Sequence, residues 1–493
     1  MNFPTLYIKI GNIVTNKLMK IMFLIRSVNH FTFHESTIRY LAKNGHQVHL
    51  YFNPEWSKGF TDRAVKLCSK QYSNISINWY EGRKDIWRKI VIALRETVSL
   101  GQYKNQPDQH HFYMDRQYRY LIQCCPKPVK FVLTRISIFK PILASYIIQI
   151  LISLTLKIIP EHKNSRNLIK EQEPDVVVAT PANLRYSDET DYLISAKKCN
   201  IPTVIPVHSW DNLTTKGTFN FTPDFMLVWN KYQSKEANQI HKIPLNNIVI
   251  TGSPFMDKWF DQSTKYIKNN RISPPIKSKY ILYLGSSSNI APNEVPELCK
   301  LADTIQQTNN KNLSNTSILA RTHPANEKRF AKINHPLIKT WIRGRDELPD
   351  SPEAFHEFNT AINESVCVIG INTTGMIDAV LAGKEVIALI PKNYKNSNAY
   401  NAAHFKQILN SDIFHEANSI GQCIDILSKI IVKPLKTEEH TKEFIGDFIR
   451  PRGINYPSGE IAGLCIESTN KNTDGNTFEE YLTKTILETG KIA

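Results

Sequence analysis

Asp211 and Lys216 stand five residues apart in the stretch HSWDNLTTKG (His208 to Gly217), directly after the apolar run TVIPV. A strand exit needs Gly, Asn or Asp for backbone reasons, but it does not need a Trp beside an Asp with a Lys close behind. Asp211 is a candidate general base, with His208 and His34 as substitutes, because a carboxylate or a neutral imidazole can take a proton from a hydroxyl. Trp210 offers an aromatic face, Lys216 a positive charge, and Asn212 and His30 polar contacts on the same side. The plain alternative makes Trp210 a core residue and Asp211 a turn or helix-cap residue.

Three further motifs suit an anion. In GINTTGMIDAVLAG a strand runs into Asn372, Thr373 and Thr374 and then a helix, whose free N–H groups and two hydroxyls fit a phosphate. Simple capping by Thr is the alternative. RTHPAN sets Arg321 and His323 after the strand SILA; a guanidinium forks onto phosphate, and an imidazole can donate to it near neutral pH. GSSSNIAP ends another strand in Gly285, Ser286 and Ser287, where glycine admits a close backbone approach and the hydroxyls reach phosphate or ribose. It is not G-x-G-x-x-G, and there is no G-x-x-x-x-G-K-[ST] loop, so no nicotinamide or flavin cofactor is expected.

The elements that position these motifs read as alternating strands and helices. KIMFLIRSVNHF, ESTIRYLAKNGHQ and VHLYF form a strand, a helix stopped at Gly45, and a strand, the opening of a doubly wound α/β domain. PDVVVATP, TVIPVHS, DFMLVWN and IVITG continue as short β-branched runs, as expected of a parallel sheet covered on both faces. The pattern restarts at YILYLG after a linker with Pro274 and Pro275. Two tandem Rossmann-like domains facing a cleft are therefore predicted: residues 1–262 with a basic helical insertion at about 83–170, residues 263–436, and a tail with a final helix at 437–493. Every unusual motif falls at the carboxyl end of a strand, where open parallel sheets bind ligands.

Composition narrows the classes. The chain has 493 residues, 41% hydrophobic and 22% charged, which excludes disorder. Its eight cysteines form no C-x-x-C pair, so a reducing compartment and no metal site are expected. The net charge is +16. Much of it lies between Arg83 and Lys170, a basic surface suited to an anionic membrane, with no nucleic-acid-binding signature beside it. Within that region the apolar run from Pro141 to Pro160 reads first as a buried helix, then as a membrane-docking helix, and least as a span, since it falls short of the roughly 20 apolar residues a span needs. The N-terminus lacks a secretory signal, and the strand at Met19 or Met22 reads as the natural beginning, with the first eighteen residues an extension.

Taken together, the two α/β domains, the HP after a second-domain strand and the GINTT loop resemble the GT-B glycosyltransferase fold. The wider pattern, SWDNLTTKG with GSSSNIAP, RTHPAN and GINTTGM, is similar to a bacterial GT-B-like family whose members are called only glycosyltransferases, from about Met19 to Gly453. The HP and Ser/Thr pair also resemble donor-site motifs of CMP-sialate, CMP-octulosonate and CDP-glycerol transferases, which implies that His323, Thr373 and Thr374 hold nucleotide phosphate. The CDP-glycerol enzymes carry Trp-His-Gly and then Lys and Gly at the first-domain strand end; here Trp210, Lys216 and Gly217 are kept and Asp211 replaces the His. Their RPHG tail appears as RPRG, with Arg452 in place of the His. The resemblance implies a metal-independent, inverting glycosyl or polyol-phosphate transferase of cell-surface polysaccharide synthesis. It would be cytoplasmic or peripheral at the inner membrane face, with a CMP, CDP or UDP donor and a saccharide or lipid-linked acceptor. Trp210 would stack on a sugar ring and Asp211 would activate the acceptor. Two alternatives stay open. One is an epimerase using paired carboxylates among Asp188, Glu189 and Asp191, and the other is a silent nucleotide-sugar-binding subunit.

Overall fold

A computed structural model describes residues 18–104, 111–261, 276, 278–288, 290–314, 316–323, 326–341, 352–395, 398–469, 478 and 480. All but the last of the first eighteen residues, the linker prolines, and all but two residues of the expected final helix lie outside this set.

The chain folds around two sheets. The first contains β1 (Lys20–Ile25), β2 (Gln47–Phe52), β3 (Ile75–Trp79), β4 (Val176–Thr180), β5 (Thr203–Pro206), β6 (Phe225–Val228) and β7 (Ile248–Ile250) in the order β3-β2-β1-β4-β5-β6-β7. The second contains β8 (Tyr280–Leu284), β9 (Ser317–Arg321), β10 (Ile338–Trp341), β11 (Val368–Gly370), β12 (Val386–Leu389) and β13 (His415–Ala417), ordered β10-β9-β8-β11-β12-β13. Every strand pairing is parallel. Both sheets thus wind outward in two directions from their first strand, and the strand order reverses between β1 and β4 and again between β8 and β11. Loops diverge at that point and leave a crevice at the carboxyl ends. This is the two-domain, doubly wound architecture expected from the sequence.

The helices follow the same logic. α1 (Glu35–Lys43) buries Ile38, Leu41 and Ala42 against the first sheet and ends where Gly45 takes φ +89°, a conformation that favours glycine. Between β3 and β4 lies a run of helices that includes α2 (Arg88–Lys104), α3 (His111–Cys124), α4 (Lys127–Arg135), α5 (Phe139–Leu143) and α6 (Tyr146–Ile158). In the second half, α7 (Glu294–Gln307) follows β8, α8 (Thr374–Leu381) follows β11, and α9 (Ala403–Asn410) precedes β13. Finally α10 (Ser458–Ser468) returns to the first domain and lies on α1 so closely that a Cβ on Gly459 would sit 2.1 Å from Ser36 Oγ. Asp257 ties this crossing together. It accepts from Ser36 Oγ at 2.7 Å, from Arg450 Nη2 at 2.6 Å, and from the Ser458 and Gly459 amides at 3.0 and 2.7 Å. The RPRG segment is part of the clasp, because Arg452 Nε donates to the Ile250 carbonyl at 2.8 Å.

One expectation fails here. The apolar run after Pro141 is not a buried helix: in α6 only Ile152 is buried, while Tyr146, Ile147 and Ile158 are 75%, 70% and 81% exposed. Nor is it a span, since no described helix is long and apolar enough to cross a membrane.

Candidate functional site

The first wall of the crevice is built by the loops after β1, β4 and β5. After β1 the chain turns through a short 3-10 segment, Val28–Phe33, which brings His30 and Phe33 against His208, the residue that leaves β5. Ring centroids are 4.5 Å apart for His30 and His208 and 3.8 Å for Phe33 and His208; His34 lies 5.9 Å from His208. His34 Nε2 meets Thr180 Oγ1 at 3.0 Å, and that hydroxyl donates to the Pro206 carbonyl at 3.1 Å, so Nε2 is the protonated nitrogen of His34. Burial pushes the imidazoles of His30 and His34 down to about 3 and holds His208 well below its ordinary value, so the trio is neutral.

Asp211 follows. Ser209 Oγ donates to its Oδ1 at 2.5 Å, while Thr215 Oγ1 and Lys216 Nζ both donate to Oδ2 at 2.9 Å. Burial opposes its ionisation, but the adjacent Lys216 ammonium and these hydrogen bonds outweigh it, so the carboxyl is held far below the usual range. The pair is not sealed: a quarter of the Asp211 side chain (25%) and a third of Lys216 (33%) stay accessible. The turn that carries them is braced from behind. Asn183 Nδ2 donates to the carbonyls of Asn212 and Gly217 at 3.2 and 3.0 Å, Asn212 Nδ2 returns a bond to Asn183 Oδ1 at 2.9 Å, and Tyr103 Oη of α2 reaches the Lys216 carbonyl at 2.5 Å. Arg116 of α3 donates to the Thr215 carbonyl. Asn212 is therefore packed into the wall and does not face the crevice.

The second wall comes from β8, β9 and β11. A Cβ on Gly285 would lie 3.2 Å from the His323 amide and 3.3 Å from the Arg321 carbonyl, so the two loops meet tightly at the glycine. The Asn372 amide donates to Ser286 Oγ at 3.4 Å, joining the β8 and β11 loops, and Ser287 stays partly exposed beside them. Beneath sits Glu294, the first residue of α7, whose carboxylate receives the Ser286 amide at 3.0 Å and Asn326 Nδ2 at 2.8 Å. Burial pushes its carboxyl up to about 7. Arg321 is turned away, its guanidinium 5.0 Å from the Trp341 ring and 4.8 Å from Phe358. His323 is partly exposed, with its imidazole lowered by burial. Thr373 occupies the cap position of α8 but makes no side-chain capping bond, and it remains partly exposed.

The two walls touch. Trp210 Nε1 donates to Thr374 Oγ1 at 3.1 Å, and the Trp210 ring stands edge-on to His404 of α9 at 4.7 Å. His404 Nδ1 in turn meets Thr214 Oγ1 at 2.9 Å. Of the expected residues, His30, Trp210, Asp211, Lys216, Ser287, His323, Thr373 and Thr374 are partly exposed on these loops, whereas His34, His208, Ser286, Asn372, Asn212 and Arg321 are buried in their support. The candidate epimerase acids are each held at a structural post. Asp191 pairs with Arg95 at 2.9 Å, Glu189 accepts from Tyr80 Oη at 2.8 Å, and Asp188 accepts from Asn53 Nδ2 at 3.2 Å. Glu294, His404, Asn183 and Tyr103 had no place in the sequence reading. Only Glu294 carried a local signal, an acid opening the helix after the serine loop.

No family model matches the chain, and no curated protein matches it. Solved structures do. The UDP-GlcNAc 2-epimerase of Methanocaldococcus jannaschii superposes with a TM-score of 0.52 at 12% identity, covering 91% of this chain and 99% of that one. A putative UDP-N-acetylglucosamine 2-epimerase of Listeria monocytogenes gives 0.52 at 10% identity, with coverages of 93% and 98%. The calicheamicin glycosyltransferase CalG4 gives 0.45 at 10% identity, with coverages of 95% and 99%. At such identities the likeness is one of fold, and the fold is GT-B.

Proposed function

We propose that this protein is a GT-B enzyme acting on a nucleotide-activated donor, and within that class a metal-independent, inverting glycosyl or polyol-phosphate transferase. The observation that carries the reading is the Trp210 to Thr374 bond, which sets the Asp211 loop of one domain beside the uncapped Thr373 of the other. The α8 start, with Thr373, Thr374 and the Asn372 loop, holds the donor phosphates, and His323 donates to them; Gly285, Ser286 and Ser287 line the nucleotide side. A saccharide or lipid-linked acceptor enters over Trp210 and His30. Asp211 is the base, and it becomes one when donor phosphate draws Lys216 off its Oδ2, because a clamped carboxylate is too weak a base to take a hydroxyl proton. His208 and then His34 are the substitutes. Such an enzyme fits the assembly of cell-surface polysaccharide.

Thermal shift against CMP, CDP, UDP and GDP compounds, followed by calorimetry, tests the donor site: stabilisation by one of them is expected, and no response to any would remove the reading. A second reading is epimerisation of the donor sugar, favoured by Glu96, which burial pushes up to about 7 and which lines a small pocket beside the carboxyl of Asp188. Incorporation of solvent deuterium into a UDP-sugar in the absence of any acceptor would select it.

A further inference from the structure

We propose that α4 to α6 form a membrane-docking face, which lies in the interfacial layer of an anionic bilayer. Ile147, Ile150, Leu151, Leu154 and Ile158 recur at the spacing of one helical face, and all are exposed. The opposite side of α6 is the one that packs: Ile152 is buried, and Gln149 Nε2 donates to the Thr97 and Leu143 carbonyls, both at 2.8 Å. Phe131 on α4 is likewise 63% exposed. In water this face is costly, since bulky aliphatic groups gain by leaving it.

Charge selects the occupant. Between Asp115 and Glu161 the chain has no Asp or Glu and seven Lys or Arg, among them the exposed Lys127, Lys130 and Lys157. A second copy docked on this face would set cations against cations, whereas anionic headgroups complement them and acyl chains receive the aliphatic groups. The 13 residues of α6 reach only about 20 Å at 1.5 Å per residue, so the helix lies along the surface and does not cross it. The face is coupled to the crevice through one helix. α6 rests on α2, and α2 holds the Lys216 carbonyl and, through Ser99 Oγ, the Thr218 amide at 3.0 Å.

The test is co-sedimentation of the full-length protein with vesicles of equal parts phosphatidylcholine and phosphatidylglycerol, and with phosphatidylcholine alone. Binding to the mixed vesicles at low salt, weakened at high salt, is expected. The triple variant Ile147→Ser, Leu151→Ser, Leu154→Ser should lose at least tenfold in partitioning with an unchanged unfolding transition, and Lys127→Gln with Lys130→Gln should lose about fivefold per charge. A parent that stays in the supernatant, or a triple variant that binds as well as the parent, overturns the proposal. So does a dimer in sedimentation equilibrium that the triple variant dissociates, which assigns the face to a second copy.

Discussion

Trp210 and Thr374, 164 residues apart in the chain, are joined by a 3.1 Å hydrogen bond from indole to hydroxyl across the interdomain crevice. The bond joins the start of α8 to the loop that carries Asp211. Trp210→Phe keeps the ring beside His404 and Phe405 and removes only the donor. Turnover with acceptor should fall about 2- to 10-fold, the range of one neutral hydrogen bond, while nucleotide affinity measured by calorimetry stays nearly unchanged.

Thr373 is the cleaner probe of the donor site, because it takes no part in that bond. Thr373→Val should weaken nucleotide binding by about 1–2 kcal/mol, and the double change with Thr374→Val by roughly 1–3 kcal/mol, as hydroxyls to a charged phosphate are lost. Folded variants with the parent's affinity would move the phosphate elsewhere.

Asp211→Asn preserves shape and removes the proposed base. Turnover should drop about 10²–10⁴-fold with donor affinity kept. Near-parental rates in this variant would transfer the role to His208.

If Asp211 is the base, Lys216 sets the acid limb of the pH profile. It holds the Asp211 carboxyl low, so Lys216→Gln should let that group rise and shift the acid side of the kcat/KM profile to higher pH. An unmoved acid limb in Lys216→Gln would show that Asp211 does not control it.

Glu236 makes a different pH prediction. It accepts from Gln407 Nε2 at 2.7 Å between the two domains, and burial pushes its carboxyl from 4.5 up to about 8. A group that binds its proton more tightly folded than unfolded costs stability as pH rises through that window. Tm should therefore fall between pH 5 and 8, and Glu236→Gln should flatten the slope. Equal slopes in both proteins would count against it.

The strands and crevice loops were legible because parallel strands covered on both faces must be continuous apolar runs, and because loops at their carboxyl ends carry residues no turn requires. The stop at Gly45 was legible for a local backbone reason. Trp210 against Thr374, and His404 behind them, were not, since nothing local in either stretch names its partner in the other domain. Ile147, Leu151 and Leu154 were misread as core: hydropathy records that a face avoids water, not whether protein or some other apolar medium receives it. The RPRG stretch resembled a family motif with no role assigned to it, and its Arg450 is a buried partner of Asp257.

The placement of α10 on α1 has a consequence for synthesis. The first sheet is complete in sequence at Ile250, but the face of α1 that receives Gly459 and Gly463 waits for residues 458–468. At about 5–20 residues per second, the 218 residues from 251 to 468 take on the order of 10–40 s to emerge. During that interval the nascent N-terminal half carries an open groove, and its closure reports that the second half has been made.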